Sequence, residues 1–468
     1  MPIRKLPDAP PSVHILGPTV FLVALGVGMG ESYMWPRLVL LFGPEIRWLF
    51  LIGVTLQAVV MLEMARYAMA TGESIFSGAA RVFKPLMWFF FIVAMAVYIW
   101  PGHLSAGAAA LEQISGIPWM VTAVAGLILV GVIFSFAKVI YNLLENVLSL
   151  LIGALVIGTA VVAAMVGSWN DVVTTITGMF AFGYLPAEAM TAAWFPVIVG
   201  ACAFAGPSGM QQMWYTLHLR ASGAGMGAHI PKVHGLRHAG EEEAMPSRGF
   251  MFDTEDPAEM AKWKGWRRWV TFDALLLFWG ITMLVTVSFT VIAQAAVRQN
   301  PGVRDVIQNE EREVALTAMA DAVSSAGSSV LGVIFLGFIA LIGLNATLGL
   351  FDSFSRGQAD MTYNFVKGAK KLRMSHLYAG FLWGVIVFGI LILLFGPADG
   401  PAGILDTLAF LSTFAMGAYC VTLLLVNNRM LPKPIRPRWW SNVIIGCGAV
   451  FYLGMLFYSL FAFGVVVG

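Results

Sequence analysis

The sequence predicts an all-α protein that crosses a membrane about eleven times. Composition is the first reason. Of 468 residues, 59% are hydrophobic and only 12% are charged, about half the usual charged share of roughly 25%. Mean hydropathy is +0.79. The second reason is arrangement, because the apolar residues fall into runs of 18 or more, long enough to cross a hydrocarbon core. The third is the placement of Lys and Arg, which alternates from one connection to the next.

The spans lie near 16–42, 46–69, 85–112, 118–137, 145–167, 190–219, 269–297, 327–354, 376–396, 403–430 and 440–466. If residues 1–14 lie in the cytoplasm, the inner connections carry 23 of the 28 Lys and Arg residues. The positive-inside rule then expects residues 1–14 inside and the C-terminal residues outside, with the protein integral to a plasma (inner) membrane. Met1 to Ser12 are polar and proline-rich, without the pattern of a signal peptide. The connection at 220–268 is charged and rich in Gly and Pro. It reads as a solvated loop ending in an interfacial belt, Trp263-Lys-Gly-Trp-Arg-Arg-Trp269. The outer connection at 298–325 reads as one short helix, Asp305 to Val323.

The net charge of +2 makes no case for a nucleic-acid partner. Cys202, Cys420 and Cys447 sit in apolar runs and read as small buried hydrophobes. Gly223-Ala-Gly-Met-Gly227 follows a helix and opens no βαβ unit, so it is no nucleotide motif. No cofactor motif and no constellation for covalent catalysis is present, which argues against an enzyme.

Two spans are built differently from the rest. The first contains Gly26-Val-Gly-Met-Gly-Glu-Ser-Tyr-Met-Trp35, and the sixth contains Ala205-Gly-Pro-Ser-Gly-Met-Gln-Gln-Met-Trp-Tyr215. Each glycine costs about 1 kcal/mol of helix propensity relative to alanine. A glutamate at membrane depth marks a pathway or a site by default. Both segments are therefore expected to be half-helices joined by exposed backbone, the sequence signature of a binding site near the midplane of a secondary transporter. A non-transporting receptor would not need two such breaks.

Side chains around the breaks supply the candidate site. Gln211, Trp214, Tyr215 and His218 recur at i, i+3, i+4 and i+7, so they share one face. Glu31 and Trp35 are one turn apart. Trp100-Pro-Gly-His103 interrupts the third span, and Asn345, Asp352 and Arg356 stripe the eighth. Some of these have plain structural explanations. Trp214 and Tyr215 alone would be ordinary core aromatics. Asp352 with Arg356, and Glu63 with Arg66, have the spacing of intrahelical ion pairs. His103 is as well suited to a hydrogen bond between helices as to carrying protons. Gln211 and Gln212, two amides directly after a break, are harder to explain without a ligand.

These residues resemble the Nramp (SLC11) divalent-metal transporters and their relatives. The likeness is carried by Gly17-Pro18 in the first span, by Glu63-Met-Ala-Arg-Tyr-Ala-Met-Ala-Thr-Gly-Glu73 closing the second, and by Gly206 to Arg220 in the sixth. The resemblance implies a LeuT-type fold of two inverted five-helix repeats, here about 15–167 and 185–430, with residues 431–468 as an appended helix. It also implies alternating access around the breaks. The family's Asp-Pro-Gly-Asn motif falls on Gly28, Met29, Gly30 and Glu31, and its Met-Pro-His on Met210, Gln211 and Gln212. The metal-binding aspartate is thus replaced by glycine and the histidine by an amide.

Gly28 and Gly30 are expected to widen the site, and amides with flat aromatic faces suit a neutral polyhydroxyl solute better than a bare cation. The expected cargo is a neutral polar organic solute, with a sugar such as glucose first. Its shell would be Gly28, Glu31, Ser32, Trp35, Met210, Gln211, Gln212, Trp214 and Tyr215, with Trp100, His103 and Asn345 behind them. Ser208 offers a further hydroxyl. Glu31 and His103 are the candidates if protons accompany transport, and facilitated diffusion is equally open. The alternative is a Mg²⁺ or Mn²⁺ transporter with Glu31 and Met210 as ligands.

Overall fold

The computed structural model describes residues 1–10, 28–136, 140–207, 209–231, 248–309, 312–396 and 400–463. Gly17-Pro18, Gly26 and Ser208 lie outside the described residues. Among those described, every regular element is helical, apart from one isolated bridge pairing Ile3 with Met251.

The chain runs through α1 (Trp35–Phe42), α2 (Trp48–Thr71), α3 (Ile75–Val82), α4 (Lys84–Val97), α5 (Gly102–Ser115), α6 (Trp119–Phe136), α7 (Ile140–Val166), α8 (Trp169–Gly178), α9 (Phe195–Ala203) and α10 (Gln211–Ser222). It continues through α11 (Pro257–Phe272), α12 (Ile281–Gln299), α13 (Val303–Asn309), α14 (Val314–Ser325), α15 (Ser329–Phe365), α16 (Met374–Phe395), α17 (Gly400–Met430) and α18 (Trp439–Phe463). Eight described helical stretches are long and apolar enough to cross a membrane, and a ninth is α7 bent by 118° into α8. The protein is an integral membrane protein.

The helices of spans one and six are short. α9 has 9 residues and α10 has 12, roughly 13 and 18 Å at about 1.5 Å per residue, so neither crosses a 30 Å core alone. Between them Gly206 and Gly209 take φ values of +115° and +52°, a region that L side chains avoid. In the first span, a π-helical turn (Gly30–Met34) leads directly into α1. The third span is also interrupted, with α4 ending at Val97 and α5 starting at Gly102.

Glycines let the central helices touch. A Cβ on Gly107 of α5 would lie 3.1 Å from the Cα of Gly343 on α15, a small-residue crossing of the kind that drives helix association where water is absent. Ion pairs tie both ends of the bundle. At one end Arg37 of α1 and Arg312 share Asp406 of α17, at 2.5 and 2.9 Å. At the other, Arg220 of α10 meets Asp360 of α15 at 2.7 Å, and Ser74 donates to the same carboxylate. The expected pairs Glu63–Arg66 and Asp352–Arg356 form at 2.5 and 2.9 Å.

Three local expectations are corrected. The outer connection at 298–325 holds two helices, α13 and α14, rather than one. Trp263, Trp266 and Trp269 do not form an interfacial belt. They recur every three residues, and all three are buried on one side of α11. Trp263 packs on Phe252, Trp269 on Trp266, and residues 2–8 dock alongside: Trp266 Nε1 donates to the Pro7 carbonyl at 2.9 Å, and the Leu6 N–H donates to Glu259. Arg4 N–H and the Pro2 carbonyl pair with Met251, and the next N–H along, Phe250, donates to the Thr71 carbonyl at the end of α2. Cys447, expected to be buried, is exposed, while Cys202 and Cys420 are buried. Glu241 to Glu243 lie outside the described residues.

Candidate functional site

Glu31 is the hinge between the two breaks. Its Oε1 accepts the N–H of Gly206 at 2.8 Å, and its Oε2 accepts the N–H of Gly28 at 3.2 Å. Broken helices leave N–H groups without partners, and a carboxyl group offers two oxygens to collect them. Ser32 completes the turn by donating to the Gly28 carbonyl at 2.7 Å. Gly30 does not widen the space. A Cβ there would collide with the carbonyl oxygen of Phe204, so this glycine lets the two broken segments approach closely.

The amides divide by role. Gln212 Nε2 donates to the Gln57 carbonyl at 3.0 Å, and Tyr419 donates to Gln212 Oε1 at 3.3 Å. Gln57 in turn donates to the carbonyl of Ala203, at the end of α9, at 3.0 Å. Gln57 and Gln212 therefore fasten both half-helices of the sixth span to α2 and α17. Gln211 and Asn345 are wholly buried, and each interacts with a neighbour. Met210 is buried, and its N–H donates to the Tyr98 hydroxyl at 2.7 Å.

Aromatic groups surround this framework. Trp214 lies 4.6 Å from Tyr98 and 6.2 Å, edge to face, from Phe354, ring centre to ring centre. Trp35 packs edge to face on Phe50 at 5.3 Å. His103 stacks parallel on Phe204, immediately before the sixth-span break, at 5.2 Å. Tyr215 is wholly buried, whereas Trp100 is only part-buried, on the turn between α4 and α5. His218 contacts Ser353 at 3.2 Å and lies 3.7 Å from Asp352, whose carboxylate also takes Tyr378 and Arg356. That network sits one turn or more beyond the amides.

Among the described residues, three polar groups near the breaks have no hydrogen-bond partner: the indole N–H of Trp35, the indole N–H of Trp214, and both ring nitrogens of His103. Buried donors are normally satisfied, so these groups stand out, although the Trp214 indole nitrogen packs directly against Gly357 of α15. Among the described residues no three His, Cys, Asp or Glu side chains gather as a metal centre would require.

Sequence reasoning did not find Gln57, Tyr98 or Tyr419. Gln57 had a signal, as a lone amide in an otherwise apolar span. The two tyrosines did not, since each is defined by what it meets across the fold.

The helix order and the paired breaks define a LeuT-type transporter fold. The crystal structure of the Eremococcus coleocola manganese transporter, in complex with an aromatic bis-isothiourea substituted compound, matches at TM-score 0.62 and 13% identity, covering 98% of this chain and 89% of that one. A point mutant of the same transporter matches at TM-score 0.64 and 13% identity, with the same coverage. A nucleobase-cation-symport-1 family transporter, closed with bromovinylhydantoin bound, matches at TM-score 0.52 and 12% identity, covering 96% and 93%. No protein-family model matches the chain, and no curated protein does. The likeness is therefore one of fold.

Proposed function

We propose that the chain is a Nramp-related secondary transporter working by alternating access, and that it carries a small neutral polar solute, with a sugar such as glucose the first to test. One observation carries the substrate class. Among the described residues at the breaks, the buried groups lacking a hydrogen-bond partner are the Trp35 and Trp214 indoles and the His103 ring, while both Glu31 oxygens already hold backbone N–H groups. Hydroxyl oxygens can answer indole donors, and C–H faces pack on the rings. A divalent cation wants several free oxygens or soft ligands, and Glu31 with Met210 offers few.

The second reading, Mg²⁺ or Mn²⁺ transport, is favoured by the likeness to a manganese transporter. Coupling to protons through Glu31 or His103 belongs to either reading, and so does the orientation with residues 1–14 in the cytoplasm.

Proteoliposomes containing the purified chain separate the readings. Labelled glucose uptake is run beside fluorescent Mn²⁺ and Mg²⁺ influx, each against Trp214→Phe, which keeps the ring stack and removes the indole donor. Saturable solute uptake weakened about tenfold in the variant, without metal influx, supports the neutral-solute reading. Metal influx without solute uptake, unchanged in the variant, replaces it with the cation reading.

A further inference from the structure

α11 has two different sides. One carries Trp263, Trp266 and Trp269 against residues 2–8 and the body of the protein. The other borders an open groove of about 630 Å³ lined by Arg267, Arg268, Thr271, Phe272, Leu275 and Leu276. The lining is ordered along the chain, with two guanidiniums and a hydroxyl at one end and apolar side chains at the other. The apolar end faces outward, since Phe272, Leu275 and Leu276 are 39%, 54% and 53% exposed. It lies where α11 runs through a π-helical stretch (Asp273–Gly280) into α12, within the membrane-crossing stretch Pro257–Gln299.

The charge at the polar end is not balanced. Arg267 donates to the Leu62 carbonyl at 2.7 Å and lies 3.6 Å from Glu63, but Glu63 already binds Arg66 through both oxygens. Two arginines thus share one carboxylate, and Arg268 is exposed beside them with no ion pair among the described residues. A fixed positive excess directly above an outward apolar strip matches one kind of molecule, which has a phosphate at one end and a hydrocarbon chain at the other. We infer that this groove is a binding site for an anionic phospholipid, with the phosphate on Arg267 and Arg268 and an acyl chain along Phe272, Leu275 and Leu276. Guanidinium pairs with phosphate oxygens in a fork, and the apolar strip holds the chain. This inference rests on the protein's place in a membrane and not on what it transports.

The test is native mass spectrometry of the full chain in neutral detergent, titrated with phosphatidylglycerol or phosphatidylcholine. Phosphatidylglycerol should bind severalfold more tightly. Arg268→Gln should weaken it about fivefold, the effect of one basic side chain near an anionic headgroup, and leave phosphatidylcholine unchanged. Arg268→Lys should retain most of the preference, and Leu276→Ser should weaken both lipids. Glycerol phosphate, which lacks the chain, should not compete. Equal binding of the two lipids, a preference untouched by Arg268→Gln, or competition by glycerol phosphate would each overturn the assignment.

Discussion

Replacing Glu31 with Gln tests whether this side chain is a strut or a ligand. The side chain keeps its size but loses one acceptor. Gln can take either the Gly206 N–H or the Gly28 N–H, and it turns its own NH2 toward the other. In a wholly buried place an N–H left without an acceptor costs about 1–3 kcal/mol. The Gly206 contact, at 2.8 Å, is the shorter of the two, so the Gly28 turn should be the one that loosens. A loss of about 1–3 kcal/mol is a change of roughly 5- to 150-fold in the population of the arrangement that makes both contacts. The assay is thermal unfolding of the purified variant in detergent, read beside uptake in proteoliposomes. The expected result is a lower melting midpoint together with reduced uptake. An unchanged midpoint with weakened cation uptake would refute the strut and make Glu31 a ligand, and with it the cation reading would stand.

Two further perturbations address the same framework. Gln57→Leu removes the amide that holds Ala203 and leaves the carbonyl there unanswered, so it should destabilise by about 1–3 kcal/mol, measured by the same unfolding assay. Asp406→Asn removes the charge shared by Arg37 and Arg312. Arg37 is wholly buried, and breaking a buried pair on one side costs about 3–5 kcal/mol, so this should be the largest loss of the three. Adding Arg37→Gln should restore part of it, and a double variant as unstable as the sum of the singles would show that the pair is not coupled.

Much of the architecture was legible because apolar run length is a local property. The long spans, the break in the sixth and the Glu63–Arg66 and Asp352–Arg356 pairs could all be read from neighbours in the chain. The roles of the residues at the breaks were less legible. Glu31 and Gln212 were recognised as unusual, but a sequence cannot say whether a buried polar group meets solute or backbone. Here the first holds Gly206 and the second meets Gln57, and both partners lie more than a hundred residues away. Gly30 was misread for the same reason, since the space beside a glycine depends on what packs there. The tryptophans of α11 matched an interfacial belt by composition, and their burial depends on partners outside α11, Pro7 for Trp266 and Phe252 for Trp263.

The docking of residues 2–8 has a consequence for the order in which the protein is built. Leu6 and Glu259 are separated by 253 positions, and chains are made at about 5–20 residues per second, so the groove that receives residues 2–8 does not exist until roughly 10–50 s after they are made. For that interval Leu6 and the peptide groups around it lack the partners they have in the folded chain and are open to whatever else binds a short extended segment. Their docking becomes possible while roughly two hundred residues of the chain are still to be made. It can occur only after the residues between them have been made, so it joins two segments synthesised far apart in time.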